Sequence, residues 1–278
     1  MLSYRHAFHA GNFADVLKHT ILIQILEYLN KKDKPWCCID THAGPGKYEL
    51  DGDYAQKNQE YQNGIGKLWQ RDDLPECLAE YINLVKRFNP PDKLSRYPGS
   101  PLLTKQLLRN KDRLCLFELH TTEILLLKDL ANSHISVCHG DGLKDSLKSL
   151  PPHERRGLVL IDPSYEIKKD YTEVVETLKA MHKRFAVGTY ALWYPVIERR
   201  RNQQLEKAIT ASGIANVQLF ELGIRGDSNE HGMTSSGMII INPPWTLAKQ
   251  MQQTLPWLAD VLGQDGEGFY RIETLVAE

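Results

Sequence analysis

The sequence predicts a Rossmann-like α/β fold: a seven-stranded, mostly parallel sheet covered on both faces by helices, with a small helical insertion. Three observations lead there. Short apolar runs alternate with stretches of helical period along most of the 278 residues, which is the pattern of a parallel sheet with helices on both sides. Four of those runs finish at or near an acid. One interval between successive runs is far too long for a single crossover.

Taken in order, a polar opening, "MLSYRHAFHAGN", precedes a helix over residues 13–29. Pro35 ends any continuation, since the residue before a proline is steered out of helical torsions. "WCCID" is a short apolar strand that ends at Asp40, and "THAGPGKY" is a glycine turn. Residues 51–99 hold the excess length. They carry helical candidates at 57–70 and 76–88 and are read as an insertion subdomain in the first crossover. Residues 1–50 then form the N-terminal arm, first helix and first sheet unit, and residues 100–278 the remainder of the same domain. A helix over 101–109 leads to "RLCLFELH", a strand ending near Glu118. A helix over 122–131 leads to "HISVCHGDG", ending at Asp141, and "RGLVLIDPSY" ends at Asp162. A helix over 170–182, a fifth strand within 184–195 and a helix over 196–212 follow. "NVQLFELGI" and "GMIIINPPW" are the sixth and seventh strands.

The bulk properties exclude several classes. A formal net charge of −1 and a pI of about 6.8 argue against a surface that is basic throughout, although a local basic face is compatible with them. The five cysteines, Cys37, Cys38, Cys77, Cys115 and Cys138, include no Cys-x-x-Cys pair. An odd count fits reduced thiols and a cytoplasmic setting. The N-terminus lacks a signal-peptide core, and no apolar run is long enough to span a membrane. His6, His9 and His19 make no compact metal-binding pattern.

Ligands of open α/β sheets bind at the carboxyl ends of the strands, where Asp40, Glu118, Asp141 and Asp162 are expected. Gly44 and Gly46 let backbone approach a ligand closely. Their spacing completes neither the dinucleotide fingerprint nor the phosphate loop, and an ordinary strand-to-helix turn is the plain alternative. Clustered carboxylates repel a pyrophosphate, which also disfavours a nicotinamide oxidoreductase. They suit a ligand with a positive group and hydroxyls. Glu118 is placed to accept from ribose hydroxyls, and Asp141, before the permissive Gly142, from an adenine amine. S-adenosylmethionine fits these contacts. Solvated loop acids are the bland alternative for both residues.

"DPSY", residues 162–165, extends this pattern to chemistry. Asp162 and the Pro163 carbonyl are placed to accept the two hydrogens of an exocyclic amine, and Tyr165 to stack on its base. Such an amine is a poor nucleophile because its lone pair is delocalised into the ring. Two acceptors stabilise the positive charge that develops on nitrogen, and alignment supplies the rest. Direct displacement at carbon needs no metal and no covalent enzyme intermediate. Attack comes first and proton loss second, with Asp162 as acceptor or relay to solvent.

"DPSY" resembles the Asp/Asn-Pro-Pro-Tyr signature of adenine-N6 methyltransferases. With "SYRHAFHAGNFADVLKH", "DTHAGPGKY", "YPGSP", "FELH", "GDG" and "YALWYP", it makes nearly the whole chain similar to the J-type bacterial 23S rRNA adenine-N6 methyltransferases. The resemblance implies a class I methyltransferase domain with a helical insertion and S-adenosylmethionine as cofactor. It implies methylation of adenine 2030 of 23S rRNA before ribosome assembly is complete; a cytoplasmic monomer without metal or membrane partner is expected besides. It also implies cofactor-side roles for His19, His42, Ser100, Glu118, Asp141, Gly142 and Asp162, which join Asp40 and Gly44, and an RNA-side role for Tyr4. His6 and Lys18 belong to the same N-terminal signature; we expect His6 on the RNA side and Lys18 on the cofactor side. Ser164 departs from the signature, where a second proline is usual. The Pro163 carbonyl survives that change, so activity is expected to survive as well.

"INPPW" matches the amine-methylating signature more literally, but it trails the last strand. Asn242 is therefore read as part of an exit turn, with Trp245 packing as an anchor. The basic residues Lys31, Lys32, Lys34, Arg155, Arg156, Lys168, Lys169, Lys183, Arg184 and Arg199 to Arg201 would steer RNA if gathered beside the cleft. A DNA adenine methyltransferase shares the chemistry but normally needs a larger target-reading region than residues 51–99. A non-catalytic RNA-binding module would need no cofactor pocket.

Overall fold

The computed structural model describes residues 5–167, 169–228 and 232–278. Its strands are β1 (Cys37–Asp40), β2 (Lys47–Glu49), β3 (Arg96–Pro98), β4 (Arg113–Glu118), β5 (Ile135–His139), β6 (Gly157–Ile161), β7 (Thr189–Val196), β8 (Val217–Gly223), β9 (Ser235–Ile241) and β10 (Phe269–Val276). The helices are α1 (Phe13–Asn30), α2 (Asp53–Asn58), α3 (Ile65–Leu68), α4 (Glu76–Lys86), α5 (Ser100–Leu107), α6 (Glu123–Leu127), α7 (Gly142–Asp145), α8 (Asp170–Arg184), α9 (Arg199–Thr210) and α10 (Leu247–Leu262).

The main sheet has the order β10-β8-β9-β7-β6-β1-β4-β5. Every pairing from β5 across to β7 is parallel; β9 lies antiparallel between β7 and β8, and β10 is antiparallel on β8. The fold is the Rossmann-like one expected, with eight strands rather than seven. The missed strand, "FYRIETLV", mixes charges with apolar residues and is half exposed, so it lacks the continuous apolar run that marks a buried strand. Among the described residues no helix is long and apolar enough to cross a membrane.

Burial explains the hierarchy of elements. β1, β6 and β7 are buried at every position, as expected of central strands covered on both faces. α1 is almost wholly buried too and packs against α5, α4 and the β9 side of the sheet. Its N-terminus is fixed by Asn12, whose side chain accepts from the amides of Ala14 and Asp15 at 3.0 and 3.1 Å. That satisfies donors left orphaned by the first turn.

Segment 51–99 is closed at its base by β2 pairing with β3 in a small separate sheet. The helix expected over 57–70 is broken into α2, a 3-10 turn over Glu60–Asn63, and α3. Gln59 sits at φ 52°, which no helix interior adopts. Gly64 is needed for a different reason: a Cβ there would lie 2.2 Å from the Gly11 carbonyl oxygen. The segment therefore packs backbone to backbone on the N-terminal arm. Ile65, Leu68 and Tyr81 join the same apolar core as α1.

Candidate functional site

A cavity of about 750 Å³ opens at the carboxyl edge of the parallel strands. The strand-end acids converge there by register, since Asp40 lies opposite Leu116 of β4 and Leu160 of β6. Glu118, Asp141 and Asp162 line the cavity, with Gly44, Gly142, His42 and Ser100.

Glu118 already organises the glycine turn. One oxygen accepts from the Gly44 amide at 2.7 Å and the other from the His120 amide at 2.6 Å. A carboxylate offers about four acceptor sites, so each oxygen retains capacity for a ligand hydroxyl. Gly44 stands at φ 62° and Gly46 at φ 83°, torsions that favour glycine. Asp141 caps α7, accepting from the Leu143 amide at 3.1 Å, and binds the Lys144 ammonium at 2.6 Å. A Cβ on Gly142 would fall 1.8 Å from the Thr41 carbonyl oxygen, so only glycine lets this turn approach the end of β1. The cradle therefore fits a cationic, hydroxyl-bearing nucleoside.

Asp40 does not line the cavity. It lies beneath the floor, where it accepts from Ser100 Oγ at 2.6 Å and the His42 amide at 3.2 Å. It supports two lining residues, Ser100 and His42, and makes no direct surface for a ligand. Burial first, then the nearby Asp162 charge, push its carboxyl up to about 6, against the hydrogen bond from Ser100. Burial lowers His42 to about 4 and His19 to about 3, so both are neutral near pH 7. His42 Nδ1 lies 2.7 Å from Thr41 Oγ1, and His19 Nδ1 lies 2.6 Å from the Tyr97 hydroxyl.

The N-terminal signature forms a chain of charges. His6 Nε2 lies 2.9 Å from Asp15 Oδ2; Lys18 Nζ lies 2.9 Å from Asp15 Oδ1 and 2.5 Å from Asp162 Oδ2. Burial opposes the Lys18 charge, but Asp15 and Asp162 outweigh it and hold the ammonium above its usual range. Burial likewise opposes ionisation of Asp15, and His6 and Lys18 overcome that to hold it well below the usual carboxylate range. Lys18, expected on the cofactor side, is thus the ion-pair partner of Asp162. Asp15 was missed in the sequence. Its signal was available: Asp15 and Lys18 are one helical turn apart in a helix otherwise apolar enough to be buried.

Asp162, Pro163 and Ser164 line the cavity, and Tyr165 does not. Tyr165 is only 7% exposed at φ 52°. Its hydroxyl donates to the Trp193 carbonyl at 2.8 Å, and its ring packs 4.5 Å from Tyr171. The aromatic lining of the cavity is instead Phe13, Tyr48 and, over Lys18, Trp193. Its indole N–H donates to Ser236 Oγ at 2.7 Å, and Lys18 Nζ lies 5.7 Å from its ring centroid. Tyr4 lies outside the described residues. His6 lines the cavity, as do Asn58, Glu60 and Asn63 of segment 51–99 and Arg225 after β8.

Two other expectations are settled by topology. Because β9 is antiparallel, Asn242 emerges at the edge opposite the cavity; its amide donates to the carbonyls of Ala186 and Gly188 at 2.8 Å each. It is a turn residue, as expected, but Trp245 does not anchor that turn, being 81% exposed. The basic residues also divide. Lys34, Arg156 and Lys183 precede β1, β6 and β7, which puts them and their neighbours at the far edge instead of beside the cleft.

Comparison with known proteins bears on this cavity. The family model described as "Ribosomal RNA large subunit methyltransferase D, RlmJ" matches residues 33–276. Ribosomal RNA large subunit methyltransferase J of Escherichia coli (strain K12) is 49% identical over 280 residues, covering 100% of both chains. Its namesake from Haemophilus influenzae is 46% identical over 281 residues, again covering 100% of each. The crystal structure of a Legionella pneumophila protein superposes with a TM-score of 0.89 at 39% identity, covering 96% of this chain and 98% of that one. A probable spermidine synthase from Corynebacterium glutamicum, at 10% identity and a TM-score of 0.52, covers 100% of this chain and 83% of its own; it shares the fold alone. With identity near one half along the entire length, and a family model matched over residues 33–276, the chain belongs to the J-type family of ribosomal RNA large subunit methyltransferases.

Proposed function

We infer that this protein transfers the methyl group of S-adenosylmethionine to the N6 amine of adenine 2030 in 23S rRNA. We assign it to the cytoplasm, acting as a monomer without metal on RNA not yet fully assembled into ribosomes. The observation that carries the chemistry is that Asp162 shares one cavity with Glu118 and Asp141 while its Oδ2 is held by Lys18 at 2.5 Å.

Bound in this cradle, S-adenosylmethionine supplies an activated methyl group on a sulfonium. Glu118 binds the ribose hydroxyls and Asp141 the adenine amine of the cofactor, while neutral His42 and Ser100, braced by Asp40, shape the floor. On the substrate side, Lys18 fixes the carboxylate of Asp162 through Oδ2, and Oδ1 accepts one N6 hydrogen. The Pro163 carbonyl accepts the other. Both acceptors gain strength as positive charge develops on nitrogen, which is the condition for lowering a barrier. Attack comes first and proton loss second, and Asp162, with Oδ1 on the amine, takes that proton or relays it to solvent. Trp193 takes the base-stacking role expected of Tyr165, and Tyr165 positions Trp193 through its backbone.

The test is labelled methyl transfer to total unmodified RNA, with nucleoside analysis and mapping of the modified position. N6-methyladenosine at one site is expected, with Asp162→Ala inactive. Any other methylated nucleoside would defeat the substrate assignment. Faster transfer to unmodified DNA in a parallel assay would favour the DNA enzyme.

A further inference from the structure

Net charge conceals a segregation. The cavity is lined by Glu118, Glu123, Asp141, Asp162, Glu166 and Asp170, among other acids, which outnumber its Lys18 and Arg225. That suits a cationic cofactor and repels the phosphates of a long RNA. The opposite edge of the sheet is basic. Following the strand order, the turn after β9 carries Trp245, the loop before β7 follows Lys183 and Arg184, and β6 is preceded by Arg155 and Arg156. β1 is preceded by Lys31, Lys32 and Lys34, and β4 by Arg109 and Lys111. Neighbouring strands lie about 4.8 Å apart, so this strip runs for about 19 Å from β9 to β4.

The strip is built, not scattered. Arg156 donates to the carbonyls of Lys34 at 3.1 Å and Leu29 at 2.7 Å. Arg109 donates to those of Lys32 at 2.9 Å and Lys34 at 3.0 Å. These guanidinium groups lock the lysine-bearing loop against the starts of two strands. Local acids are engaged: Asp33 by Lys111, Asp112 by Arg109 and Glu154 by Arg113. Lys32, Lys34 and Lys183 are exposed and make no ion pair among the described residues.

A second, independent feature sits in the same strip. Trp245 is 81% exposed and Val187 is 77% exposed. The turn that presents Trp245 is rigid, since Asn242 at φ 50° is tied by its amide to Ala186 and Gly188 on either side of Val187. A fixed, solvated indole beside lysines is the combination that stacks on an unpaired base while the cations hold the backbone.

We propose that this edge is a second RNA-contacting surface, which grips rRNA outside the element carrying the target adenine. The inference rests on the rRNA-substrate reading above. It makes the enzyme bipartite: the acidic cavity handles one nucleotide, and the basic strip supplies affinity for a larger RNA.

Two RNAs test it: a short stem-loop with the target adenine, and unmodified full-length 23S rRNA. Binding of each is measured across a salt series for the parent, a K32E/K34E/K183E triple variant and Trp245→Ala, with single-turnover methyl transfer to the stem-loop alongside. The triple variant is expected to bind full-length RNA about tenfold more weakly and to flatten its log–log salt slope by about 2, at about 0.7 for each phosphate no longer neutralised. Trp245→Ala is expected to weaken it at least about fivefold, the lower end of what one base stack contributes. Stem-loop binding and turnover are expected to stay at parental values, which also reports that both variants fold. Unchanged full-length affinity and slope would overturn the proposal, as would equal weakening on both RNAs. If the parent methylates neither RNA, the functional reading fails instead, and the binding data still judge the strip.

Discussion

Lys18 is the residue on which the site balances. Its side chain is 4% exposed, and its ammonium lies between two carboxylates contributed by its own helix and by the end of β6. Removing one member of a buried charge set leaves the others uncompensated, which typically costs about 3–5 kcal/mol. Lys18→Met is therefore expected to lower the unfolding free energy by about that amount, read from urea titration, and to abolish methyl transfer. Asp40 gives a prediction of opposite character. Its carboxyl titrates at about 6 in the folded chain, mainly because it is buried, against about 3.9 in an unfolded one. The folded state therefore holds this proton more tightly. The contribution of Asp40 to stability is fully present below the unfolded value and is lost as pH rises through about 6, by about 3 kcal/mol. Asp40→Asn should remove that slope: the difference in urea midpoint between parent and variant should shift in favour of the variant from pH 4 to pH 7.

At the scale of elements, the N-terminal arm and segment 51–99 act as one wall of the cavity. His9 Nδ1 lies 2.8 Å from Glu60 Oε1, and the Asn12 amide donates to Glu60 Oε2 at 2.9 Å. The hydrogen bond to Glu60 raises the His9 pKa against the effect of burial. The pair therefore supports the wall below the ordinary histidine value and loses that support as pH rises through the raised one. Asn12 does two jobs, since its other side-chain atom caps α1. Asn12→Ala is expected to destabilise the fold by about 1–2 kcal/mol, measured by thermal unfolding. It should also raise the KM for RNA, because α1 carries Asp15 and Lys18 into the site. The sequence forecast α1 well because its apolar run is long. It forecast the 57–70 region badly because the break at Gln59 and Gly64 answers to the arm packed on it, and no local signal announces that contact.

Across the whole molecule, β10 closes the sheet and completes a buried ionic cluster. Glu221 of β8 is fully buried, accepting from the Tyr194 hydroxyl at 2.8 Å, Arg199 at 2.8 Å and Arg271 of β10 at 3.2 Å. Arg271→Ala is expected to cost about 3 kcal/mol by leaving Glu221 less compensated, seen as a lower urea midpoint, while methyl transfer by the folded fraction persists. The sequence by itself determined the alternation of strands and helices, the acids at four strand ends and the glycine turn. Those are written in local periodicity and in residue types that only one backbone geometry tolerates. Only the tertiary structure decided that Lys18 answers Asp162, that Trp193 and not Tyr165 faces the cavity, and that Lys34, Arg156, Lys183 and their neighbours sit at the edge away from it. Each depends on which strand lies beside which and in which direction it runs, and pairing across a sheet joins residues whose separation along the chain carries no trace of their nearness in space.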